Sequence, residues 1–163
     1  MLLTAGIDPL GPESNLDFIP AHYLEECPDL YDIVIPARIQ DICENAFCAC
    51  INLHNVTFEK GSRCSYIDSK AFSQTQLEMI ELPEGLHFIC RECFSYCSNL
   101  KRVVIPRSIE TIEQGVFDNC RELKSLNYLG SKSSWNEDIA LDCFDTNEDS
   151  IERIVCSDGV INL

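Results

Sequence analysis

The chain has 163 residues, of which 45% are hydrophobic, and this is enough to bury a core as one domain. Its formal net charge of -15 argues against nucleic acid and anionic membrane as partners, because both carry negative charge. The acids are concentrated at the ends: residues 1–37 hold seven acids and no Lys or Arg, and residues 133–163 hold eight acids and only Arg153.

The N-terminal stretch MLLTAGIDPL does not read as an export signal. It lacks a basic start and reaches Asp8 before an apolar core can form. The sequence also holds no run of about 20 apolar residues, as a membrane-spanning helix would need. We therefore interpret residues 1–9 as a leader or frayed segment, and expect a cytoplasmic protein on the absence of an export signal.

From residue 10 onward the apolar residues recur with a fixed period, most clearly between Ile80 and Tyr128. The step is 23 residues for each of several pairs: Pro83 and Pro106, Phe94 and Phe117, Cys97 and Cys120, Leu100 and Leu123. A fixed period in the range of about 20 to 50 residues predicts a solenoid of stacked coils. Two irregularities fall around the third coil, where EKGSRCSYID is two residues longer and SQTQLEMI one residue shorter than its equivalents.

Within one repeat, the alternation in LKRVVIP (residues 100–106) predicts a short strand that the proline ends. Ile109 and Ile112 are expected to point inward from the opposite wall, and a short turn or single helical coil follows at residues 116–117. Stacking the coils places one strand of each in a parallel sheet. It also places four rings in one core column, those of Phe47, Phe72, Phe94 and Phe117.

The pattern L-xx-I-x-I-P-xx-I-xx-I-xxx-A/V-F-xx-C, seen in LKRVVIPRSIETIEQGVFDNC, resembles the BspA-like leucine-rich repeat family. The resemblance implies an α/β leucine-rich repeat solenoid that is rich in strands and forms a right-handed coil. It also implies a short parallel sheet on one face and short helical or 3-10 turns. It predicts about five repeats over residues 10–125. Residues 126–163 look like the C-terminal segment that closes such arrays, with LNYLGSKSSW and IVCSDGVINL as its marks.

The same resemblance implies a role in protein binding or adhesion, often at microbial surfaces, without catalytic residues. The leading functional hypothesis is a protein-interaction scaffold, and the alternative is a structural, adhesin-type repeat protein at the cell surface. Two departures from the family pattern are Thr75, at the position of the repeat cysteine, and Glu59, at the position of the strand-ending proline.

Eleven cysteines raise the question of disulfides. Four of them share one repeat position that faces the core beneath the phenylalanine column: Cys27, Cys50, Cys97 and Cys120. Adjacent coils lie about 4.8 Å apart, so neighbours in this column could approach disulfide distance. The odd number and the core position favour buried free thiols and a reducing compartment.

Cys90, Cys93 and Cys97 have spacings found in zinc sites, and the fourth ligand would be His87, Cys64 or Cys120. However, Cys93 and Cys97 fall at core phases of the repeat. A cysteine-based metal protein is therefore a distant alternative, and we predict no cofactor.

Catalytic patterns are not found in the sequence. His22, His54 and His87 fall at unrelated phases of the repeat, so no Ser-His or Cys-His arrangement follows from the spacing. No glycine-rich phosphate loop is present either. We predict that the protein is not an enzyme.

Strand alternation predicts which side chains point outward from the sheet: Val34, Thr57, Glu81, Val104 and Asn127. Beside them should run Tyr31, His54, Glu78, Lys101 and Lys124. The resulting strip has an acidic middle at Glu78 and Glu81 and a basic end at Lys101, Arg102 and Lys124. We hypothesise that the strip docks a protein partner. The alternative is a solvated face without a ligand, and the sequence leaves the partner's identity and the oligomeric state open.

Overall fold

In the computed structural model of the chain, the structure describes residues 10–11, 14–135, 139 and 151–163. The predicted leader at residues 1–9 lies outside the described residues. One 3-10 helix, Lys132–Ser134, is found within them. The strands are β1 Phe18–Ile19, β2 Asp32–Ile35, β3 Asp41–Ile42, β4 Asn55–Phe58, β5 Tyr66–Ile67, β6 Met79–Glu81, β7 Phe88–Ile89, β8 Arg102–Ile105, β9 Thr111–Ile112, β10 Ser125–Tyr128, β11 Arg153–Cys156 and β12 Gly159–Asn162.

The strands predicted for each coil line one wall of the molecule and pair in parallel, which confirms the solenoid. β2 pairs with β4, and β6, β8, β10 and β11 pair in that order. The register follows the repeat period, since Asp32 lies opposite Asn55 and Met79 lies opposite Arg102. At the C-terminal end, β12 folds back antiparallel to β11, with Val155 opposite Val160.

The opposite wall forms a second parallel sheet, which the sequence did not predict. Its five strands, β1, β3, β5, β7 and β9, have two residues each. Two residues are too short for an alternating pattern to show in the sequence, which indicated only that Ile109 and Ile112 point inward. The second residue of each strand is an isoleucine, and all five isoleucines are fully buried: Ile19, Ile42, Ile67, Ile89 and Ile112.

The segments between the second sheet and the main sheet are consecutive turns, where the sequence allowed short helical coils. In the second coil, the N–H of Ala46 donates to the carbonyl three residues earlier at 3.2 Å, but the N–H of Phe47 donates to the Ala71 carbonyl of the next coil at 2.8 Å. Asn45 and Ala49 have φ angles of +55° and +56°. A helix cannot propagate through left-handed residues, and every second N–H instead joins neighbouring coils.

The phenylalanine column runs through the core on the inner side of these turns. The ring centroids of Phe47 and Phe72 are 5.1 Å apart, those of Phe72 and Phe94 are 5.5 Å apart, and those of Phe94 and Phe117 are 5.9 Å apart. Successive rings lie within 9° of parallel. The column therefore couples every coil from the second to the fifth through side-chain stacking as well as through main-chain hydrogen bonds.

The main sheet is interrupted at the third coil. β4 and β6 lie side by side, but no ladder of hydrogen bonds joins them. The core residues Val56 and Ile80 are 24 positions apart, whereas Ile33 and Val56 are 23 apart, as are Ile80 and Val103. The two extra residues lie in the loop between β4 and β5. The length irregularity therefore coincides with a break in the sheet.

Candidate interaction surface

The main sheet presents two columns of outward side chains, because alternate residues of each strand point away from the core. The first column holds Asp32, Asn55, Met79, Arg102, Ser125 and Arg153. The second holds Val34, Thr57, Glu81, Val104, Asn127 and Val155. We call this surface the sheet face.

The predicted acidic middle and basic end of the strip meet at one ion pair. Lys101 Nζ lies 3.3 Å from Glu78 Oε2 of the preceding coil, and both side chains are more than half exposed. An exposed pair of this kind contributes at most about 1 kcal/mol. Glu81 is exposed too and makes no ion pair with any described residue. The two charge types are therefore adjacent and only partly neutralise each other.

The basic end is larger than the sequence indicated. Arg102 and Lys124 are exposed, and Arg153 of β11 joins them on the sheet face. None of these three cations makes an ion pair with a described residue, although Arg102 Nη1 lies 4.0 Å from the sulfur of Met79. The sequence missed Arg153 because the 23-residue period does not extend across residues 129–150. Only the pairing of β11 with β10 places it on this surface.

Val104 is a correction to the predicted strip. The residue lies in an outward position but is only 5% exposed. Its neighbours in the register are Glu81 on one side and Asn127 on the other, and both carry longer side chains. A short side chain in a central strand is covered by such flanking residues, so Val104 offers little surface to a partner. Asn127 itself is half-buried.

Apolar side chains are exposed at the N-terminal half of the sheet face. Tyr31 and Val34 are each 54% exposed, and Met79 is 50% exposed. Leu129, just beyond β10, is exposed as well. The sheet face therefore combines exposed apolar groups with four neighbouring cations, which we call the basic cluster: Lys101, Arg102, Lys124 and Arg153.

A cleft of about 620 Å³ opens where the sheet is interrupted. Its walls come from β4 and the loop after it, from β6 and the residues after it, and from Leu129. We call it the third-coil cleft. The sequence carried a signal for it, the two extra residues of EKGSRCSYID, but that signal indicates only a longer loop.

The repeat cysteines are core residues that bond to main chain. The thiols of three of them donate to carbonyls of the preceding coil, Cys50 to Leu24 at 2.9 Å, Cys97 to Phe72 at 3.2 Å and Cys120 to Phe94 at 3.1 Å. Thr75, which replaces the cysteine in the third coil, donates its hydroxyl to the Phe72 carbonyl at 2.9 Å. The ten described cysteines are free.

Burial also sets the reactivity of these thiols. Desolvation raises the pKa of Cys50 and of Cys97 to about 11. Since the thiolate is the nucleophile and the metal ligand, a thiol that stays protonated at neutral pH is a weak reagent. The geometry favours a packing role for these residues.

The cysteines considered as zinc ligands do not form a cluster. Cys93 and Cys97 are fully buried in the core, whereas the Cys90 thiol lies 2.9 Å from the Tyr66 hydroxyl. No group of three or more His, Cys, Asp or Glu side chains is arranged to hold a metal ion among the described residues.

The three histidines lie in separate surroundings. Nδ1 of His22 is 2.7 Å from Glu25, and Nδ1 of His87 is 2.9 Å from Glu110. His54 is exposed and bonds to a neighbouring main-chain carbonyl. Within the described part of the chain, no histidine ring is hydrogen-bonded to a serine or cysteine side chain.

Among the described residues, no helix has the length and apolar character needed to span a bilayer. Together, the stacked coils, the two parallel walls and the outward charged strip define a solenoid repeat protein, a class that presents an extended binding surface. The model of the BspA type leucine-rich repeat region matches residues 17–157 in six copies. The chain belongs to this family of repeat scaffolds.

Solved structures agree with this assignment. The leucine-rich repeat protein of T. pallidum is 30% identical, with a TM-score of 0.62 over 66% of this chain and 50% of that one. The pneumococcal vaccine antigen PcpA is 25% identical, with a TM-score of 0.51 over 60% of this chain and 30% of that one. A leucine-rich repeat protein of Eubacterium ventriosum has the same fold, with 24% identity and a TM-score of 0.61 over 71% of this chain and 29% of that one.

The chain spans half or less of the length of each of these three proteins. The comparison with curated proteins gave no match.

Proposed function

We propose that this chain is a non-catalytic scaffold that binds a protein partner through its sheet face. The observation that carries the proposal is the basic cluster on a chain whose net charge is -15. Arg102 and Arg153 lie on β8 and β11, and Lys101 and Lys124 directly precede β8 and β10. These three strands are neighbours in the sheet, about 4.8 Å apart. Like charges at that spacing repel each other, and an acidic surface of a partner would relieve the repulsion.

The exposed apolar side chains favour a protein over a small anion as the ligand. Tyr31, Val34 and Met79 lie on the same face as the basic cluster and are each at least half exposed. Protein interfaces combine desolvated aromatic and apolar groups with charged groups that set orientation and association rate. A partner covering this face would therefore bury apolar surface at one end and pair charges at the other.

The test is capture of partners on the immobilised chain, with a charge-reversed variant. We expect Lys101→Glu with Lys124→Glu to lose the captured protein, because the change converts the centre of the basic cluster to acid. Arg63→Glu with Arg91→Glu is the matched control, since it changes the net charge equally at positions off the sheet face. Equal capture by both variants and the unchanged chain would leave the sheet face as a solvated surface without a ligand.

We place the protein at the cell surface, where an adhesin-type structural role would also lie. The cytoplasmic expectation rested on the N-terminal sequence alone and receives no support from the comparisons. One matched structure is described as a vaccine antigen, which supports a surface location. The test is labelling of intact cells with a membrane-impermeant amine reagent. Labelling only after lysis would show that the protein lies inside the cell and would contradict the proposal.

A further inference from the structure

The third-coil cleft has an apolar floor. Leu82 is buried, Phe58 is half-buried, and Met79 and Leu129 are partly exposed within it. Its volume of about 620 Å³ falls within the range of about 300 to 1,000 Å³ typical of ligand sites. Apolar surface of this kind, open to solvent, gains free energy when another apolar group covers it.

The rim of the cleft is acidic. The charged residues that line it are Glu59, Glu81 and Glu84, with Lys60 as the one cation among them, and we call the three carboxylates the acidic rim. Glu59 accepts a hydrogen bond from the Ala37 N–H at 2.8 Å, which holds its carboxylate in place. The nearest cation to Glu84 is Arg107, at 4.0 Å, and Glu81 has no ion-pair partner among the described residues.

The cleft lies at the break in the main sheet. β4 pairs only with β2, and β6 pairs only with β8, although β4 and β6 lie side by side. An extended segment lying over the cleft can place every second side chain in it, because successive side chains of an extended chain point to opposite sides.

From these three features we infer that the third-coil cleft binds an extended peptide segment of the partner in which apolar residues alternate with Lys or Arg. The apolar side chains enter the cleft, and the cations lie against the acidic rim. The inference rests on the proposed function, because it names the chemistry of the partner where it meets the acidic middle of the strip. The same partner would carry acidic groups opposite the basic cluster.

The experiment measures binding of a fluorescent peptide with the sequence Lys-Leu-Lys-Leu-Lys to the full chain by polarisation. Glu81→Gln with Glu84→Gln should weaken binding about threefold to tenfold, which corresponds to about 0.7 to 1.4 kcal/mol for the two exposed pairs together. The matched control is Glu44→Gln with Glu122→Gln, which removes two exposed carboxylates that do not line the cleft. Its effect should stay within twofold.

A second peptide, with serine in place of leucine, tests the apolar floor and should bind at least threefold more weakly. In amide spectra of the labelled chain, the shifts should concentrate at Phe58 and Leu82, with little change at Lys124. Equal weakening by both carboxylate pairs would overturn the inference, because it would show attraction by net charge alone. Equal binding of the serine peptide, or no binding at millimolar peptide, would overturn it as well.

The proposed function and the inference fail in different ways. If capture of the partner depends on Lys101 and Lys124 but is unchanged in Glu81→Gln with Glu84→Gln, the scaffold proposal stands and the cleft assignment falls. If the peptide binds the cleft as described while the charge reversal leaves partner capture intact, the cleft assignment stands and the basic cluster loses its role.

Discussion

The phenylalanine column makes a quantitative prediction about stability, centred on Phe72. This ring is fully buried and stacks on both sides, against Phe47 at 5.1 Å and Phe94 at 5.5 Å. Truncation of a buried phenylalanine to alanine costs about 3 to 5 kcal/mol. We expect Phe72→Ala to fall near the top of that range, because two stacked contacts are lost and the coils above and below hold the cavity open.

Phe117→Ala is the internal comparison. The Phe117 ring is 6% exposed and, among the described residues, stacks on one side, against Phe94 at 5.9 Å. Its truncation should cost about 3 kcal/mol, near the bottom of the range. Phe47→Leu should cost less than about 1.5 kcal/mol, since leucine conserves most of the volume and Leu24 already occupies the equivalent position of the first coil.

Urea unfolding followed by circular dichroism measures these differences. With a slope of about 2 kcal/mol per molar urea, a loss of about 4 kcal/mol lowers the midpoint by about 2 M. An equal loss of unfolding free energy in Phe72→Ala and Phe117→Ala would show that the stacked column does not hold the coils together. A loss of less than about 1 kcal/mol in Phe72→Ala would show the same.

Three further predictions concern single positions. Because burial raises the pKa of Cys97 to about 11 in the folded chain, above its ordinary value of 9.0, stability should be intact below pH 9 and fall as the pH rises from 9 to about 11. The free energy of unfolding should fall by up to about 1.4 kcal/mol per pH unit for each such thiol. Cys97→Thr copies the residue found at Thr75 and has no thiol to ionise, so urea unfolding at pH 8 and pH 10 should show a smaller fall for this variant than for the unchanged chain. Gly115→Ala should lower the free energy of unfolding by about 1 to 2 kcal/mol, because φ is +69° there and the new Cβ would lie 2.8 Å from Asp118 Oδ2; an unchanged melting temperature would contradict this. Glu78→Gln should change stability by less than about 1 kcal/mol, since its pair with Lys101 is exposed, and a larger loss on thermal melting would show that the pair has a structural role.

Much of the fold could be predicted from the spacing of apolar residues. Positions 23 residues apart, such as Phe94 and Phe117, lie over one another because each coil buries its apolar face only against its neighbours. Local alternation of apolar residues predicted the strand before Pro106, and it also predicted that Ile109 and Ile112 point inward. Proline ends the strand because it has no N–H to donate to the ladder. These features depend on patterns short enough to be written within a single repeat.

The candidate surface was less predictable. Val104 follows the same alternation as Glu81, yet its neighbours cover it, and exposure is a property of the assembled sheet. Arg153 reaches the sheet face through the pairing of β11 with β10, across a stretch without the repeat period. Contacts between coils that are distant in the sequence therefore determine which residues form the exposed surface.

By itself, the sequence determined the period, the coil and the identity of the core column, because burial of apolar side chains has to repeat wherever the backbone repeats. The tertiary structure alone decided where the main sheet is broken, which outward side chains are covered and which cations gather beside one another. The physical reason is that a change of one or two residues within one coil alters strand pairing between coils, and that pairing sets the surface.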